Sequence, residues 1–433
     1  MSELLNKKKV AFYTLGCKLN FTETSTIARE FAKRGYQRVK ADEKADVYVI
    51  NTCTVTHVAD KKSRYVIRKI TRQAPNAFVA VVGCYTRLNA DDVLKIPGVN
   101  LILGNKEKFN LFKYLDNEDH SASKVSMNDN DHEDQFHIAY SVDDRTRSFL
   151  KVQDGCDYFC SYCTVPFARG RSRNVNIGEA VNTANKIASE GVKEIVLTGI
   201  NIGDFGKSTG DSFIDLIKEL EISTDIERYR ISSIEPDLLT NEIIEFVAKT
   251  KHFMPHFHMP LQSGCDKILK LMQRKYNTAL FKERIDSIRS NLPFSCIGVD
   301  VIVGFPGEEE EDFEQTYSLL QEANISYLHV FTYSDRERAR ASKFAHKVDT
   351  KEKERRSNLL QKLSDIKRLK FYEKNIGKTY NVLFESINNK GMMEGFTENY
   401  IRAEHPFKPE LIGKVKTVEL KEITKTGNVL VTI

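Results

Sequence analysis

Apolar runs and amphipathic stretches alternate along the first 115 residues. The apolar runs at 9–15, 46–50, 78–82 and 101–103 predict strands, and the periodic stretches at 23–34 and 59–74 predict helices. Continuous apolar strands that alternate with helices are typical of a parallel, doubly wound sheet. The pattern therefore predicts an amino-terminal α/β domain over residues 1–118.

A second, longer alternation of strands and helices begins downstream of Arg145. Its predicted strands are 148–152, 194–197, 228–232, 256–259, 298–303 and 327–331. Because each is followed by a helical pattern, we predict a (βα)6 partial barrel over residues 145–375, and in such barrels the chemistry lies at the carboxyl ends of the strands. The last helix, 351–372, carries Leu359, Leu363, Ile366 and Leu369 at the spacing of one buried face.

The remaining segments have different patterns. Residues 119–144 are acidic and polar, which predicts a linker with one short strand at 136–140, and His132 and His137 are expected to be solvated there. Residues 376–433 show about five short alternating segments separated by turn residues. They predict a small β-barrel, a fold that often binds oligonucleotides.

Three cysteines lie within eight residues just after the first barrel strand. Cys156, Cys160 and Cys163, which we call the loop trio, have the spacing Cys-x3-Cys-x2-Cys. A structural zinc site or an ordinary ferredoxin cluster has four protein ligands, so three thiols favour a four-iron cluster with one open iron. This spacing resembles the signature of the radical S-adenosylmethionine (SAM) enzymes.

A second trio follows the strands of the amino-terminal domain. Cys17, Cys53 and Cys84, which we call the strand-end trio, each come directly after a predicted strand. The carboxyl ends of parallel strands share one edge of a sheet, so we expect the three thiols to converge. The alternative is that they are small apolar residues at strand ends.

Composition narrows the class of protein. Hydrophobic residues make up 41% and charged residues 29% of the 433 residues, as in ordinary globular proteins of several domains. No membrane span or signal peptide is apparent, so we expect a cytoplasmic protein whose eight cysteines are thiols or metal ligands. The net charge of +5 does not by itself indicate a nucleic-acid partner.

Positive charge is concentrated between Arg336 and Lys374, where fourteen Lys or Arg face six acidic residues. A solvated charged helix and a phosphate-binding face are equally compatible with this pattern. The candidate RNA contacts are Arg336, Arg338, Arg340, Arg355, Arg356 and Lys367.

Several motifs together resemble one family over essentially the whole chain, the radical SAM methylthiotransferases. Residues 14–20 (TLGCKLN), 51–56 (NTCTVT), 59–64 (ADKKSR) and 153–157 (QDGCD) are similar to its threonylcarbamoyladenosine branch. The loop 333–340 departs from the family, because charged residues stand where Gly-Thr and Pro are usual. The contacts of this loop are therefore open, although we expect it at the barrel mouth.

The resemblance implies two 4Fe-4S clusters and SAM as cofactors. The loop trio would hold the cluster that cleaves SAM to a 5′-deoxyadenosyl radical, and the strand-end trio an auxiliary cluster that carries sulfur. Such chemistry requires cofactors because no side-chain base removes an unactivated aromatic hydrogen. The candidate SAM contacts at the barrel mouth are Tyr162, Thr198, Gly199, Ser233, Glu235 and Gln262. Cys265 and Cys296 are expected to be free thiols.

The activity that the resemblance implies is methylthiolation of C2 of N6-threonylcarbamoyladenosine at position 37 of tRNA. The carboxyl-terminal barrel would be a TRAM-type RNA-binding domain, and the partners would be a tRNA anticodon stem-loop, a low-potential electron donor such as flavodoxin or ferredoxin, and a sulfur donor. The same family also modifies isopentenyladenosine in tRNA or an aspartate of a ribosomal protein. A radical SAM enzyme with another substrate and a non-catalytic zinc protein that binds RNA are the wider alternatives.

Overall fold

The structure, a computed structural model, describes residues 7–116, 124–126, 136–142, 146–388 and 391–433. His132 and most of the predicted linker lie outside these residues. Within the described part of the chain, no helix is long and apolar enough to cross a membrane.

The amino-terminal part is a parallel sheet of six strands, as the alternation predicts. Its strands are β1 (Lys9–Thr14), β2 (Gln37–Val39), β3 (Val47–Thr52), β4 (Phe78–Gly83), β5 (Leu101–Leu103) and β6 (Lys124–Ser126), in the order β2-β1-β3-β4-β5-β6. Its helices are α1 (Lys18–Lys33), α2 (His57–Gln73), α3 (Cys84–Leu88), α4 (Ala90–Leu94) and α5 (Phe112–Leu115). Helix α1 begins five residues before the predicted start, directly after Cys17, and β6 adds part of the predicted linker to the sheet edge.

The central part contains all six predicted barrel strands and three short strands beside them. The strands are β7 (Ala139–Tyr140), β8 (Ser148–Lys151), β9 (Gln153–Asp154), β10 (Arg173–Asn174), β11 (Glu194–Thr198), β12 (Arg228–Ile231), β13 (His256–Gln262), β14 (Cys296–Val303) and β15 (Tyr327–Thr332). The helices are α6 (Val165–Arg169), α7 (Ile177–Ser189), α8 (Phe213–Ser223), α9 (Asn241–Lys249), α10 (Asp266–Leu271), α11 (Thr278–Asn291), α12 (Glu310–Glu322) and α13 (Thr350–Glu373).

The long central strands form one curved parallel layer. Strands β8, β11 and β12 pair in parallel, as do β13, β14 and β15, and the parallel bridges Tyr229–Phe253 and Ser233–His258 join the two halves. One face of every strand packs its apolar residues against the outer helices, so the predicted (βα)6 partial barrel is confirmed. We call the opposite, concave side the barrel lumen.

The carboxyl-terminal part is a closed five-stranded barrel, also as predicted. Its strands are β16 (Thr379–Ile387), β17 (Met392–Thr397), β18 (Arg402–Pro406), β19 (Val415–Ile423) and β20 (Val429–Thr432). Closure pairs β18 with β20 in parallel, while the other neighbours are antiparallel.

The small barrel closes the amino-terminal end of the lumen. Arg230 donates to the carbonyl oxygens of Thr397 at 2.7 Å and Glu398 at 2.9 Å, and the His256 ring stacks on Tyr400 with centroids 4.0 Å apart. These contacts leave the carboxyl ends of the strands as the open mouth, where the predicted site residues lie.

The buried face of α13 differs from the predicted one. Leu363 is buried, but Ile366 and Leu369 are 50% and 40% exposed, while Leu360 is fully buried. Four apolar residues at helical spacing fit two overlapping faces of a helix. Ser364 of α13 lies on the buried face, where its hydroxyl accepts from the N–H of Leu328 on β15 and donates to the carbonyl oxygen of the same residue.

Candidate active site between two cysteine trios

The strand-end trio lies at one edge of the amino-terminal sheet. Cys17 follows β1, Cys53 follows β3 and Cys84 starts α3 after β4, and these three strands are neighbours. A Cβ atom on Gly16, whose φ is +105°, would lie 2.7 Å from the Cβ of Cys53. Glycine is thus required for the loops of Cys17 and Cys53 to approach this closely.

The three thiols of this trio lie within each other's electrostatic field. Burial raises the pKa of Cys53 to about 11, and the charges of Cys84 and Cys17 add to the rise. Burial by surrounding protein also raises the pKa of Cys17, although the nearby Arg169 opposes it. Metal ligation requires thiolates, so binding of a cationic cluster here would release protons.

The loop trio is held in a tight turn after β9. Gly155 has φ +73°, and a Cβ there would lie 1.9 Å from the carbonyl oxygen of Arg171. Phe159, between two of the cysteines, also has a positive φ of 49°. Such backbone strain persists only where the surrounding structure enforces it, and it is concentrated at functional sites.

Each thiol of the loop trio faces an N–H donor. The backbone N–H of Tyr158 points to Cys156 Sγ at 3.5 Å, and that of Val165 points to Cys163 Sγ at 3.4 Å. Arg274 Nη1 donates to Cys160 Sγ at 3.0 Å. Hydrogen bonds to cysteine sulfur stabilise thiolates and tune the reduction potential of an iron–sulfur cluster. The donor set therefore fits a cluster with three cysteine ligands.

Arg274 is a site residue that no sequence motif marks. Besides Cys160, its guanidinium contacts the Tyr162 hydroxyl at 3.4 Å and forms a close ion pair with Glu235. It is only 3% exposed. Arg274 therefore ties two of the candidate SAM contacts to the loop trio.

The other candidate SAM contacts lie at the same mouth. Thr198 and Gly199 end β11, Ser233 follows β12, and Gln262 ends β13 with a φ of +68°. The Thr198 hydroxyl already donates to the Leu150 carbonyl at 3.0 Å, so its role is structural at least in part.

Three buried polar atoms near this mouth make no hydrogen bond to any described residue: Asn201 Oδ1, Ser232 Oγ and Asp237 Oδ1. Buried polar groups are normally paired, so unpaired oxygens around one loop set fit a polar ligand with amino and hydroxyl groups. SAM carries both kinds of donor. The residues present thus fit the cofactor that the sequence motif indicates.

A buried ionic network joins the two trios. Arg169, six residues after Cys163, donates to Glu23 Oε1 and Asp154 Oδ1 at 3.0 Å each and to Asn20 Oδ1 at 2.5 Å. Lys108 and Lys151 also pair with Glu23. The side chains of all five charged residues are at most 3% exposed. The sequence motifs contain Asn20 and Asp154 but give no sign of this network.

The trios also approach through apolar and amide contacts. Cys84 packs with Leu88 and Ala168 of α6, the helix that follows the loop trio. Asn105 Nδ2 contacts Cys84 Sγ at 3.4 Å and donates to the Ala168 carbonyl at 2.7 Å. The two cysteine loops are therefore fixed relative to each other by short contacts.

The loop 333–340 connects the barrel mouth to the amino-terminal part. Arg336 is buried and donates to Asp60 Oδ2 at 2.6 Å and Thr54 Oγ1 at 2.7 Å, and Arg338 donates to the Leu88 carbonyl at 3.0 Å. The charged residues that depart from the family pattern are thus interdomain ties in this chain.

Most of the candidate RNA contacts have protein partners. Arg356 is buried with Glu308, Arg355 pairs with Glu310 and Glu352, and Lys367 donates to the carbonyl oxygens of Gln321 and Ala323. Arg340 is exposed and makes no ion pair within the described residues. Of the six, Arg340 is the one best placed to meet a phosphate.

The remaining cysteines, Cys265 and Cys296, belong to neither trio. Cys265 is buried and contacts Asp312 Oδ1 at 3.2 Å, and Cys296 is buried under the carboxyl-terminal barrel. His137 is not a solvated loop residue, because its ring stacks on Phe109 with centroids 4.7 Å apart. Burial, followed by the charge of Lys151, lowers the pKa of His137 to about 4.

Comparison with family profiles matches two parts of the chain. Residues 9–104 match the uncharacterized protein family UPF0004, and residues 150–320 match the radical SAM superfamily. The two matched segments contain the strand-end trio and the loop trio, respectively.

Full-length relatives carry more specific names. The chain is 37% identical to the threonylcarbamoyladenosine tRNA methylthiotransferase MtaB of Bacillus subtilis, over 95% of this chain and 93% of that one. It is 40% identical to the protein of the same name from Aquifex aeolicus, over 91% and 95%. It is 32% identical to the tRNA-2-methylthio-N(6)-dimethylallyladenosine synthase of Dictyoglomus thermophilum, over 96% of each chain.

Among solved structures, the fold resembles that of TsrM from Kitasatospora setae, a radical SAM methyltransferase. The TM-score is 0.55 at 13% identity, over 75% of this chain and 73% of that one. At this identity the likeness concerns the fold alone.

Proposed function

This chain belongs to the radical SAM methylthiotransferase family, and we propose that it inserts a methylthio group at C2 of N6-threonylcarbamoyladenosine at position 37 of tRNA. The observation that carries the proposal is the pair of cysteine trios joined by the Arg169 network. One trio alone would serve many radical reactions. Two trios whose loops are joined by direct contacts fit a reaction in which hydrogen removal and sulfur insertion occur at the same carbon.

Family membership implies SAM and two four-iron clusters as cofactors. Cys156, Cys160 and Cys163 would hold the SAM-cleaving cluster, and Cys17, Cys53 and Cys84 the auxiliary cluster. When bound, these groups supply a 5′-deoxyadenosyl radical and a transferable sulfur. Glu235, Ser233, Gln262, Tyr162 and the segment 198–199 would orient SAM at the mouth.

The protein's own contribution is to fix distances and exclude water. The Glu23–Arg169 network holds the two cysteine loops, and Arg274 orients Tyr162 and Glu235 beside Cys160. The small barrel seals the far end of the lumen through Arg230 and Tyr400. Such a closed, preorganised site protects a reactive radical from side reactions.

Helix α2 is the surface that best fits tRNA next to this site. Five cations of this helix are exposed and make no ion pair within the described residues: Lys61, Lys62, Arg68, Lys69 and Arg72. All but Lys62 line a groove beside the exposed Tyr65. The single acidic residue of α2, Asp60, is already paired with Arg336. Unpaired cations attract the phosphate backbone, and an exposed aromatic ring can stack on a base.

The remaining assignments follow from this function. The carboxyl-terminal barrel would be a TRAM-type RNA-binding domain, and the enzyme would act in the cytoplasm, where tRNA is modified. Reductive cleavage of SAM requires a low-potential electron donor such as flavodoxin or ferredoxin, and each turnover consumes sulfur that an external donor must replace.

Mass spectrometry of tRNA nucleosides tests the function directly. Cells that lack the protein should accumulate N6-threonylcarbamoyladenosine and lose its 2-methylthio derivative, and the wild-type gene should restore it. If the methylthio derivative persists in the deletion strain, with no second methylthiotransferase gene present, the proposal is wrong.

Cysteine variants test the roles of the two trios. Cys53→Ala should lower the iron content from about eight to about four per chain and abolish methylthiolation while SAM cleavage continues. Cys156→Ala should abolish SAM cleavage as well. Cys265→Ala is the matched control, since this buried thiol lies outside both trios, and it should keep the full iron content.

A further inference from the structure

A line of polar side chains crosses the barrel lumen from β12 to β15. The residues Ser233, His258, Asp300 and His329 lie on successive strands, and the register pairs Ser233 with His258 and Asp300 with His329. Their neighbours Met259, Val299 and Leu328 point the other way, into the apolar core. Because side chains alternate along a strand, the four polar residues face the lumen.

The contacts within this line leave one histidine free. His258 Nε2 contacts Asp300 Oδ1 at 2.8 Å and its Nδ1 contacts Ser233 Oγ at 3.2 Å, so both of its ring nitrogens are engaged. His329 is exposed to the lumen and packs against His258 with ring centroids 5.2 Å apart. Its ring makes no hydrogen bond within the described residues, so the ring nitrogens are available to a ligand.

Lys18 brings a cation to the same space. It follows Cys17 directly, is accessible, and has its ammonium 5.9 Å from the centroid of the Phe149 ring on β8. It forms no ion pair with any described residue. The neighbour of Phe149, Leu150, packs into the outer core, so the Phe149 ring and the ammonium beside it lie on the lumen side of β8.

The lumen therefore offers an unpaired ammonium next to Cys17 and a free imidazole on β15. Helix α1 begins at Lys18 and has no acidic residue in its first turn, so its amino-terminal dipole adds positive potential there. An anionic group would neutralise this end of the lumen, whereas an apolar group would leave the ammonium desolvated and unpaired.

We propose that Lys18 and His329 bind the threonylcarbamoyl group of the substrate nucleoside, Lys18 through its carboxylate and His329 through its hydroxyl. The inference rests on the proposed function and goes beyond it by assigning the residues that distinguish this nucleoside from isopentenyladenosine. An isopentenyl group has neither a carboxylate nor a hydroxyl. Specificity thus comes from the binding free energy that is lost when the wrong substrate leaves Lys18 without a partner.

The test compares Lys18→Met and His329→Gln with the wild type on two synthetic anticodon stem-loops. One carries N6-threonylcarbamoyladenosine, and the other carries the same nucleoside with its carboxylate converted to a primary amide. For the wild type, the amide should raise KM about 10- to 100-fold, the range for loss of a hydrogen bond between charged groups. Lys18→Met should raise KM for the acid by a similar factor and change KM for the amide little.

The His329→Gln variant supplies an independent arm. It should raise KM for both substrates, because both retain the hydroxyl, and a stem-loop with the threonine replaced by glycine should be insensitive to the change. Lys33→Met, on the same helix but in an exposed pair with Glu30, is the matched control and should behave as the wild type.

Each outcome bears on the proposal. The proposal is wrong if Lys18→Met changes KM equally for the acid and the amide, or if His329→Gln changes KM equally for the threonine and the glycine stem-loops.

Because Lys18 adjoins Cys17, iron content and 5′-deoxyadenosine formation are measured for each variant. If Lys18→Met loses iron, its KM values are not interpretable, and the comparison of His329→Gln on the threonine and glycine stem-loops decides whether the proposal holds. Bound zinc that disappears in His329→Gln would also overturn it, by showing that His258, Asp300 and His329 hold a metal. If the wild type methylthiolates neither stem-loop, the proposed function itself fails.

Discussion

The guanidinium of Arg169 lies 3.0 Å from the carboxylate of Glu23, although 146 residues separate them along the chain. Glu23 belongs to the helix that follows Cys17, and Arg169 to the helix that follows Cys163. The pair is fully buried together with Asp154, Lys108 and Lys151. It therefore sets the distance between the two cysteine loops, which hold the two clusters in the proposed function.

Replacement of Glu23 by Gln should destabilise the protein strongly. Lys108 would lose its ion-pair partner, and Arg169 and Lys151 would be left with Asp154 alone. Breaking a buried ion pair in this way costs about 3–5 kcal/mol. Urea unfolding of the apoprotein measures the change. Glu30→Gln removes an exposed pair with Lys33 on the same helix and should cost at most about 1 kcal/mol. Equal effects of the two changes would contradict the structural role of Glu23.

The Glu23 carboxylate should make the free energy of unfolding depend on pH in the acid range. Burial would raise the pKa of Glu23, but the charges of Arg169, Lys108 and Lys151 outweigh it and lower the pKa from 4.5 to about 2. Because the pKa in the folded state is the lower one, the stabilisation is complete above pH about 4.5 and is lost as the pH falls toward 2. It amounts to about 3 kcal/mol.

Unfolding free energies of the wild-type and Glu23→Gln apoproteins between pH 6 and pH 3 check this expectation. The difference between them should be constant near neutral pH and should narrow below pH about 4.5, because the Glu23 carboxylate, present only in the wild type, is protonated there in the unfolded chain but not yet in the folded protein. A difference that stays constant down to pH 3 would mean that Glu23 has an ordinary pKa in the folded protein.

The sequence predicts the parts of this fold that depend on local periodicity. The strands before Cys17, Cys53 and Cys84 are recognisable as apolar runs, and parallel pairing then places their ends at one edge. The six barrel strands and the small barrel are predictable for the same reason. Helix α1 is harder to delimit, because its first two turns bury the polar side chains of Asn20 and Glu23 and so have no amphipathic pattern.

The polar partners of the site are not predictable in this way. Arg274 reaches Cys160 across 114 residues, and no spacing or composition marks it. Counting charges between Arg336 and Lys374 likewise identifies cations but not the acids that they meet in the fold. Arg336 and Arg356 are buried in ion pairs. The exposed cations of α2 are not among the predicted RNA contacts, because the motifs of that segment indicate the role of Cys53 and not of its charges.

Replacement of Arg274 by Met should impair SAM cleavage without loss of iron. The change removes a positive charge and an N–H···S contact from Cys160, so the potential of the cluster at the loop trio should become more negative. It also releases Tyr162 and Glu235. Loss of such a supporting partner typically lowers activity about 10- to 100-fold.

Redox titration monitored by electron paramagnetic resonance, together with the rate of 5′-deoxyadenosine formation, measures both effects. Arg368→Met, which removes an exposed ion pair with Asp365 on α13, is the control and should change neither quantity. An unchanged potential in Arg274→Met would leave this residue with a purely steric role.

The basic face of α2 should dominate binding of the anticodon stem-loop. The triple change Lys61→Ala, Arg68→Ala and Arg72→Ala removes three exposed cations from a helix that starts four residues after Cys53. The slope of log affinity against log salt should fall by about two to three, since each phosphate contact contributes about 0.7 to 0.9. Iron content should stay unchanged, because none of the three lies beside a cysteine.

A triple change on α13 is the appropriate comparison. Lys351, Lys362 and Lys370 are equally exposed, but they alternate with Glu352, Glu354, Asp365 and Glu373, which reduce the local potential. Their replacement by Ala should therefore lower the salt slope by less than one. If instead the α13 variant loses the larger part of the slope, the RNA must run along the carboxyl-terminal half of the molecule, and the groove beside Tyr65 would not be its path to the two cysteine trios.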